Sequence, residues 1–379
     1  MNNAKLWCFE ALDSWFFRES RPHGTVGGSE LASVFPPPAR TIAGAVRTLI
    51  GATQGVNWEQ YPAAYPDLEQ QIGNANGLGK LQLRGPYLLK DGQRLYPVPL
   101  HLLGKSIPSA NGTDTDDEKW EFICLHPGNP VECDLGKVRL PVLEQPLPGA
   151  KPLENVWLHG ADLTLVLKGE KPNHLYRKRE LLVEEPRLGI ARHYGRRTVE
   201  ESLLYQTRHI RLHEGVALGV MVSGIDPAFH PAGGLLRCGG EGRLGAVTVL
   251  EPPQDSLFAP PQPVANRLLL VLLTHADFSG GWLPPGFKAE KENGIHIWQG
   301  EINKIKLTIQ AAAVGKLVRE GGWDLSKQRP RPVIGLVPAG SAYFCTVDGD
   351  PQMAVTALHS KSIGNNTELG HGELAVGLW

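Results

Sequence analysis

The run from residue 14 to residue 50 most constrains what this chain can fold into, because it combines an aromatic strand end, a basic loop and a helix. The three aromatic residues at 15–17 suit the end of a strand. Arg18 and Arg21 follow, in a segment whose proline and glycine favour a loop. The run therefore predicts two arginines held where the chain leaves a sheet.

A helix is predicted directly after three prolines at 36–38, because proline fixes φ near the helical value and needs no hydrogen-bond partner there. The apolar residues that follow recur at helical spacing: Ile42, Ala45, Val46 and Leu49. Arg40 and Arg47 lie on the other side of this helix. Since free N–H groups at a helix start attract anions, the segment predicts a surface suited to phosphate.

Composition limits the classes of protein to which this chain can belong. Its 379 residues suffice for about two domains, and 38 basic residues nearly balance 39 acidic ones. A wholly basic nucleic-acid coat is therefore excluded, and any RNA site must be a local patch.

The cysteines and the hydropathy pattern indicate the compartment. The five cysteines are odd in number, widely spaced and without a CxxC pair, which argues against a disulfide framework and a zinc knuckle. No apolar run approaches the ~18 residues of a membrane span, and the N-terminus lacks the apolar core of a signal peptide. We therefore expect a cytoplasmic protein with no membrane partner.

The most basic stretch of the chain is residues 187–211, with six arginines against two glutamates. Its arginines include Arg192, Arg196 and Arg197. Composition alone leaves two interpretations open: the stretch binds RNA, or it is a solvated loop whose arginines pair with the acidic insertions of the chain.

A glycine-rich loop, GGEGR, follows residue 238. Gly239, Gly240 and Gly242 permit backbone conformations that point amide groups at a phosphate. Arg237 and Arg243 flank the loop and favour anion binding, although glycine loops are common and the motif alone is weak.

A second loop of this kind lies near the C-terminus and contains Gly370, His371 and Gly372. It is interpreted either as another RNA-binding loop or as a plain turn before a strand.

The predicted elements occur in a similar order in two halves of the chain. A helix-like segment, at 226–237 and again at 352–361, leads through a glycine-rich loop into a final strand. Further strands are predicted at 161–169 and 215–224. We therefore expect an α+β fold with two ferredoxin-like βαββαβ units in tandem. The expected boundaries are 1–252 for the first domain with insertions at about 52–150, 253–263 for a Pro-rich linker, and 264–379 for the second domain.

Several stretches taken together resemble one family. They are FFRESRP and FPPPARTIAGAVRTLI in the opening run, RLGIARHYGRRTVEESLLYQTRHIRL at 187–212, CGGEGRLGAV at 238–247, PAGSAYFCTV at 338–347 and the C-terminal GHGELAVGLW. In their order the chain resembles the CRISPR type III-B (Cmr) subunit of the RAMP superfamily that holds the 5′ end of the guide RNA. The matches touch both ends and the middle of the chain, and long segments between them match no named pattern.

The resemblance implies a non-catalytic subunit that binds the 5′ tag of the crRNA in a cleft between the two units. Its implied partners are the large cyclase-bearing type III subunit, other RAMP subunits and, indirectly, the target RNA. No cofactor and no metal are expected. The expected RNA-binding residues are Arg18, Arg21, His23, Arg40, Thr41, Arg47, Arg192, Arg196, Arg197, Arg237, Gly239, Gly240, Gly242, Arg243, Gly370, His371 and Gly372.

The motifs argue against catalysis, because the sequence has no HD pair, no GGDD run, no GxSxG and no P-loop. Two alternatives stay open. One is a metal-independent endoribonuclease that trims repeat RNA, for which His23, His193 or His209 would be the general base. The other is a RAMP backbone subunit that coats the guide RNA.

Overall fold

The protein is built mainly from β-strands with a few short helices, as its α+β class predicts. The structure, a computed structural model, describes residues 3–18, 30–107, 119–192, 195, 199–253, 259–324 and 327–379. Within these ranges the helices are α1 Ala39–Thr53, α2 Pro66–Ile72, α3 Gly160–Leu167, α4 Lys178–Leu181 and α5 Pro351–Leu358.

The strands of the first part of the chain are β1 Lys5–Ala11, β2 Glu30–Leu31, β3 Gln82–Lys90, β4 Gln93–Pro97, β5 Leu102–Ile107, β6 Lys119–Cys133, β7 Gly136–Leu143, β8 Lys151–Pro152, β9 Val156–His159, β10 Tyr176–Arg177, β11 Leu182–Arg192, β12 Val199–Leu212, β13 Val216–Ser223, β14 Gly233–Arg237 and β15 Leu244–Leu250. Those of the second part are β16 Arg267–Leu272, β17 Lys288–Glu292, β18 Ile295–Ile302, β19 Ile305–Ala313, β20 Val318–Glu320, β21 Trp323–Asp324, β22 Arg329–Pro330, β23 Ile334–Leu336, β24 Ala342–Asp348 and β25 Leu374–Gly377.

Two sheets organise the molecule and share one strand order. The first has the order β10-β9-β4-β3-β13-β1-β15-β14, and the second has the order β17-β18-β19-β24-β16-β25. The run β3-β13-β1-β15 in the first matches β19-β24-β16-β25 in the second, and neighbours in both runs are antiparallel. In each run the first strand along the chain lies between the third and the fourth.

Of the two connecting helices predicted for each unit, the first sheet has the first and the second sheet has the second. The helix α1 follows the first strand of the first sheet, and α5 precedes the last strand of the second. The prediction of a helix at 226–237 is wrong: this segment forms a 3-10 turn at Pro227–Phe229 and then β14. Pro231, Gly233 and Gly234 explain the difference, because proline and glycine are the poorest helix formers.

The prediction of a strand at 161–169 is also wrong, because residues 160–167 form α3. The apolar side chains Leu163, Val166 and Leu167 are buried, and they follow the i, i+3, i+4 spacing of a helix face. Leu163, Leu165 and Leu167 alternate as in a strand, while Leu163, Val166 and Leu167 have helical spacing, an ambiguity expected of short apolar runs.

Residues 52–150 contribute strands to the first sheet and pack against the second. Strand β3 pairs with β13 in the centre of the first sheet. The strands β7, β6, β5 and β8 form a separate four-stranded sheet, and its hairpin packs against β18 and β19. One hydrophobic cluster joins Tyr96 and Leu158 to Phe344 of the second sheet. The predicted domain boundaries stay predictions, and the two sheets share this buried core.

Candidate nucleic-acid interface

The opening run packs tightly before it reaches Arg18. Trp15, Phe16 and Phe17 are buried, and the backbone of Trp15 exchanges two hydrogen bonds of 2.8 Å with Ile210. Just beyond, Arg18 forms a β-bridge with Ser33, which holds the backbone at these two positions together. The exposed Arg18 side chain therefore starts from a fixed backbone. Desolvation lowers the pKa of its guanidinium, which stays protonated at neutral pH.

The helix α1 begins as the prolines predict. Pro38 is its N-cap and supplies no side-chain bond to the first turn, and this turn contains no acidic residue. The apolar stripe is buried in the first core, while Gly44 is exposed with nothing within 4 Å of an added Cβ. The start of α1 therefore keeps uncapped N–H groups and the positive end of the helix dipole.

The two arginines on this helix contact other parts of the protein. Arg40 donates to Asn366 Oδ1 at 3.0 Å, and its Nε lies 3.7 Å from Glu320 Oε1, so it joins α1 to the C-terminal half. Arg47 donates to the carbonyl of Gly73 at 3.0 Å. Thr41 lies beside Arg40 and is half-buried. Arg40 and Arg47 therefore have partners within the protein, and Thr41 lies beside Arg40 on the same helix.

The GGEGR loop docks on the opening run, a contact between segments more than two hundred positions apart in the chain. The amide of Gly240 donates to the carbonyl oxygen of Phe16 at 2.8 Å. Gly239 has φ +87°, and a Cβ there would lie 2.4 Å from the same oxygen, so only glycine fits. Gly242 and Arg237 are exposed at the outer side of the loop. Arg18 and the loop therefore border one surface.

Asp13 neutralises part of this surface. Its carboxylate is contacted by Arg187 at 2.9 Å, Arg211 at 2.7 Å and Arg243 at 3.0 Å. The hydrogen bond from Arg211, and next the one from Arg187, lower the pKa of Asp13 to about 2. The Asp13 carboxylate is therefore charged at neutral pH. Asp13 was not predicted as part of the site, because an acid just after a strand carries no sequence signal of its own.

In the basic stretch, residues 187–192 and 199–211 belong to the antiparallel strands β11 and β12. Arg187 and Arg211 also contact Glu185, and Arg208 contacts Glu184 at 3.2 Å. These arginines therefore pair with acids, although the acids are Asp13, Glu184 and Glu185 and not those of an acidic insertion. The backbone of Arg192 lies at the end of β11, while Arg196, Arg197, Arg21 and His23 lie outside the described residues.

The C-terminal glycine loop is buried between the two halves. Gly370 packs on the backbone of Gly85, and a Cβ at Gly372 would lie 1.8 Å from the carbonyl oxygen of Ile363. His371 is 3% exposed, and its Nε2 lies 3.6 Å from Glu320 Oε1. The geometry thus corresponds to the plain-turn interpretation, and RNA contact by this loop stays a prediction.

A family model decides which proteins this chain is related to. The model for CRISPR-associated protein (Cas_Cmr3) matches residues 7–379. The chain belongs to the Cas_Cmr3 family. The predicted resemblance to a Cmr-type CRISPR subunit is thereby confirmed.

Solved structures similar to this Cas_Cmr3 family member come from type III complexes. One is a chain of the cryo-EM structure of type III-B Cmr-beta bound to cognate target RNA and AMPPnP, with 14% identity and a TM-score of 0.46 over 90% of this chain and 86% of that one. Another is a chain of the Csm1-Csm4 cassette in complex with AMPPNP, with 12% identity and a TM-score of 0.32 over 88% and 97% of the two chains. No curated protein matches the chain.

The candidate general bases can be placed only in part. His209 is 1% exposed, stacks on Phe16 and lies 3.2 Å from Ser14 Oγ, and burial lowers its pKa to about 4. His23 and His193 lie outside the described residues. Among the residues that the structure describes, no group of three or more His, Cys, Asp or Glu side chains could hold a metal ion. In the same ranges, no helix is long and apolar enough to span a membrane.

Proposed function

We propose that this Cas_Cmr3 family member is a non-catalytic crRNA-binding subunit of a type III-B effector complex in antiviral defence. It would anchor the 5′ tag of the crRNA, dock on the large cyclase-bearing subunit, contact other RAMP subunits and meet the target RNA indirectly in the cytoplasm. The family match supports the Cmr setting. The RNA-binding role rests on the local geometry.

The observation that carries this proposal is the shared surface of Arg18 and the GGEGR loop. The Gly240–Phe16 hydrogen bond fixes the loop beside Phe16, and Arg18 follows two positions later in the chain. Arg237 and Gly242 are exposed there, so a cation and a positive-φ loop face solvent together. Such a surface suits the phosphates of a single strand.

We further propose that the two sheets descend from ferredoxin-like RAMP units. Both contain four antiparallel strands in the order second, third, first, fourth, which is the order of a βαββαβ unit. The first would have replaced its second helix by β14, and the second would have replaced its first helix by the β17–β18 hairpin.

Two alternatives are separated from this proposal by RNA assays. Purified protein should bind a tagged guide RNA more tightly than a scrambled one and leave labelled repeat RNA uncut in EDTA. Cleavage of the repeat RNA that is lost in His23→Ala or His193→Ala would instead favour the endoribonuclease. RNA-dependent multimers of this chain would favour a guide-coating backbone subunit.

A further inference from the structure

Residues 316–324 and 327–336 lie outside the two large sheets, and we call them the basic arm. They contain two antiparallel strand pairs, in which Arg319 pairs with Gly335 and Trp323 pairs with Pro330. No function is predicted for this segment from the sequence.

The acidic side chains of the basic arm are used internally. Asp324 is buried, lies 3.3 Å from Arg331 Nη2, and accepts the backbone N–H of Lys327 at 3.2 Å. Glu320 is buried between Arg40 of α1 and His371. The two carboxylates therefore hold the arm in shape and fix its base to the start of α1.

The basic arm exposes several cations and one aromatic ring. Four cations are exposed: Lys316, Arg319, Lys327 and Arg329. Among the described residues, no ion pair engages any of these four. Trp323 is 54% exposed, although burying so large an aromatic ring is normally favourable. An exposed indole in the same arm as exposed cations suits an unpaired base and its neighbouring phosphates.

We propose that the basic arm is a second RNA-contact surface, on which a base of single-stranded RNA stacks on Trp323 while Arg329 and Arg319 bind flanking phosphates. This inference rests on the proposed function. It extends the proposed RNA path from the start of α1 to the arm, whose base Glu320 joins to Arg40 of α1. Because stacking and phosphate contacts read no base edge, this part of the RNA is bound without regard to sequence.

The test measures binding of fluorescein-labelled single-stranded RNA by anisotropy, with the full chain and a probe of about 16 nucleotides. Trp323→Ala should weaken binding by roughly 5- to 100-fold, for tagged and scrambled RNA alike, while Trp323→Phe keeps most of the affinity. Arg329→Ala should lower the salt slope by about 0.7. Ultraviolet cross-linking should give an RNA adduct at Trp323.

Matched controls separate this inference from the proposed function. Trp58→Ala removes another partly exposed indole, and Lys291→Ala removes an exposed cation on the outer strand β17. Neither should change RNA affinity. Normal RNA binding by a folded Trp323→Ala variant would overturn the assignment of the basic arm as an RNA site. The arm would then be assigned as a binding surface for an acidic protein. Failure of the wild-type chain to bind any RNA would instead overturn the proposed function.

Discussion

Arg94 in β4 and Glu373 next to β25 form a buried, two-pronged ion pair that ties the two halves of the chain together. Their Nη1–Oε1 and Nη2–Oε2 distances are 3.0 and 2.6 Å. The guanidinium also lies over the rings of Tyr87 and Tyr96, at 4.2 and 4.5 Å from their centres. Burial by itself would raise the pKa of Glu373, but Arg94 outweighs it and the pKa is lowered. Both groups are therefore charged in the folded protein.

Removing one partner of this pair should be costly. Arg94→Met leaves the Glu373 carboxylate buried without a counter-ion, so we expect a loss of about 3–5 kcal/mol in the free energy of unfolding. Denaturant titration followed by tryptophan fluorescence measures it. Lys5→Met, which breaks the solvent-accessible pair with Glu251, is the control and should cost less than about 1 kcal/mol. A loss below about 1 kcal/mol in Arg94→Met would contradict a structural role for the pair.

Buried histidines should make the protein less stable in mild acid. Burial lowers the pKa of His275 to about 4 and that of His101 to about 3, from the usual 6.5. Below pH 6.5 the unfolded chain therefore binds more protons than the folded protein does. The contribution of the neutral histidines to the free energy of unfolding is complete above pH 6.5 and is lost as the pH falls toward 4. Each group contributes at most about 1.4 kcal/mol per pH unit.

The pH effect is measured as the shift of the thermal midpoint between pH ~7.5 and ~5. His275 Nδ1 accepts the backbone N–H of Ala339 at 2.9 Å, a bond that protonation at Nδ1 would break. His275→Asn offers an oxygen acceptor that does not titrate, so its midpoint should fall less steeply with acid. His213→Gln removes an exposed imidazole as a control. The same steepness in His275→Asn and the wild type would refute this assignment.

The contact between the GGEGR loop and the opening run can be tested with two glycines of similar backbone. Gly239→Ala places a Cβ against the carbonyl oxygen of Phe16, whereas Gly242→Ala, at φ +63°, meets nothing within 4 Å. Both should lose about 1–2 kcal/mol to left-handed strain, and Gly239→Ala should lose more. Gly239→Ala should also weaken RNA binding more than Gly242→Ala does, because it separates the loop from Arg18. Equal losses of stability and affinity in both variants would contradict this contact.

Arg18 should contact an RNA phosphate. Arg18→Ala should weaken binding of all single-stranded RNAs alike and lower the salt slope by about 0.7. Anisotropy of tagged and scrambled RNA at two salt concentrations measures both quantities, with Lys291→Ala as the control. Unchanged affinity with intact folding would exclude Arg18 from the RNA site.

Local patterns in the sequence determined several elements correctly. The three prolines and the apolar stripe of Ile42 to Leu49 predicted α1, and the apolar run at 215–224 predicted β13. These predictions succeed because proline geometry and side-chain periodicity act within a few residues. The order of the sequence motifs also identified the family, because sequence motifs can be recognised without knowing which residues contact each other in the fold.

The tertiary structure decided what local patterns leave open. The run at 160–167 fits a strand through its alternating leucines and a helix through Leu163, Val166 and Leu167, and packing against the second sheet selects the helix. The glycine loop at His371 resembles an anion site in sequence but is buried at the junction, while the GGEGR loop meets Phe16 from across the chain. Burial and pairing partners depend on which distant segments meet, and a linear pattern does not carry that information.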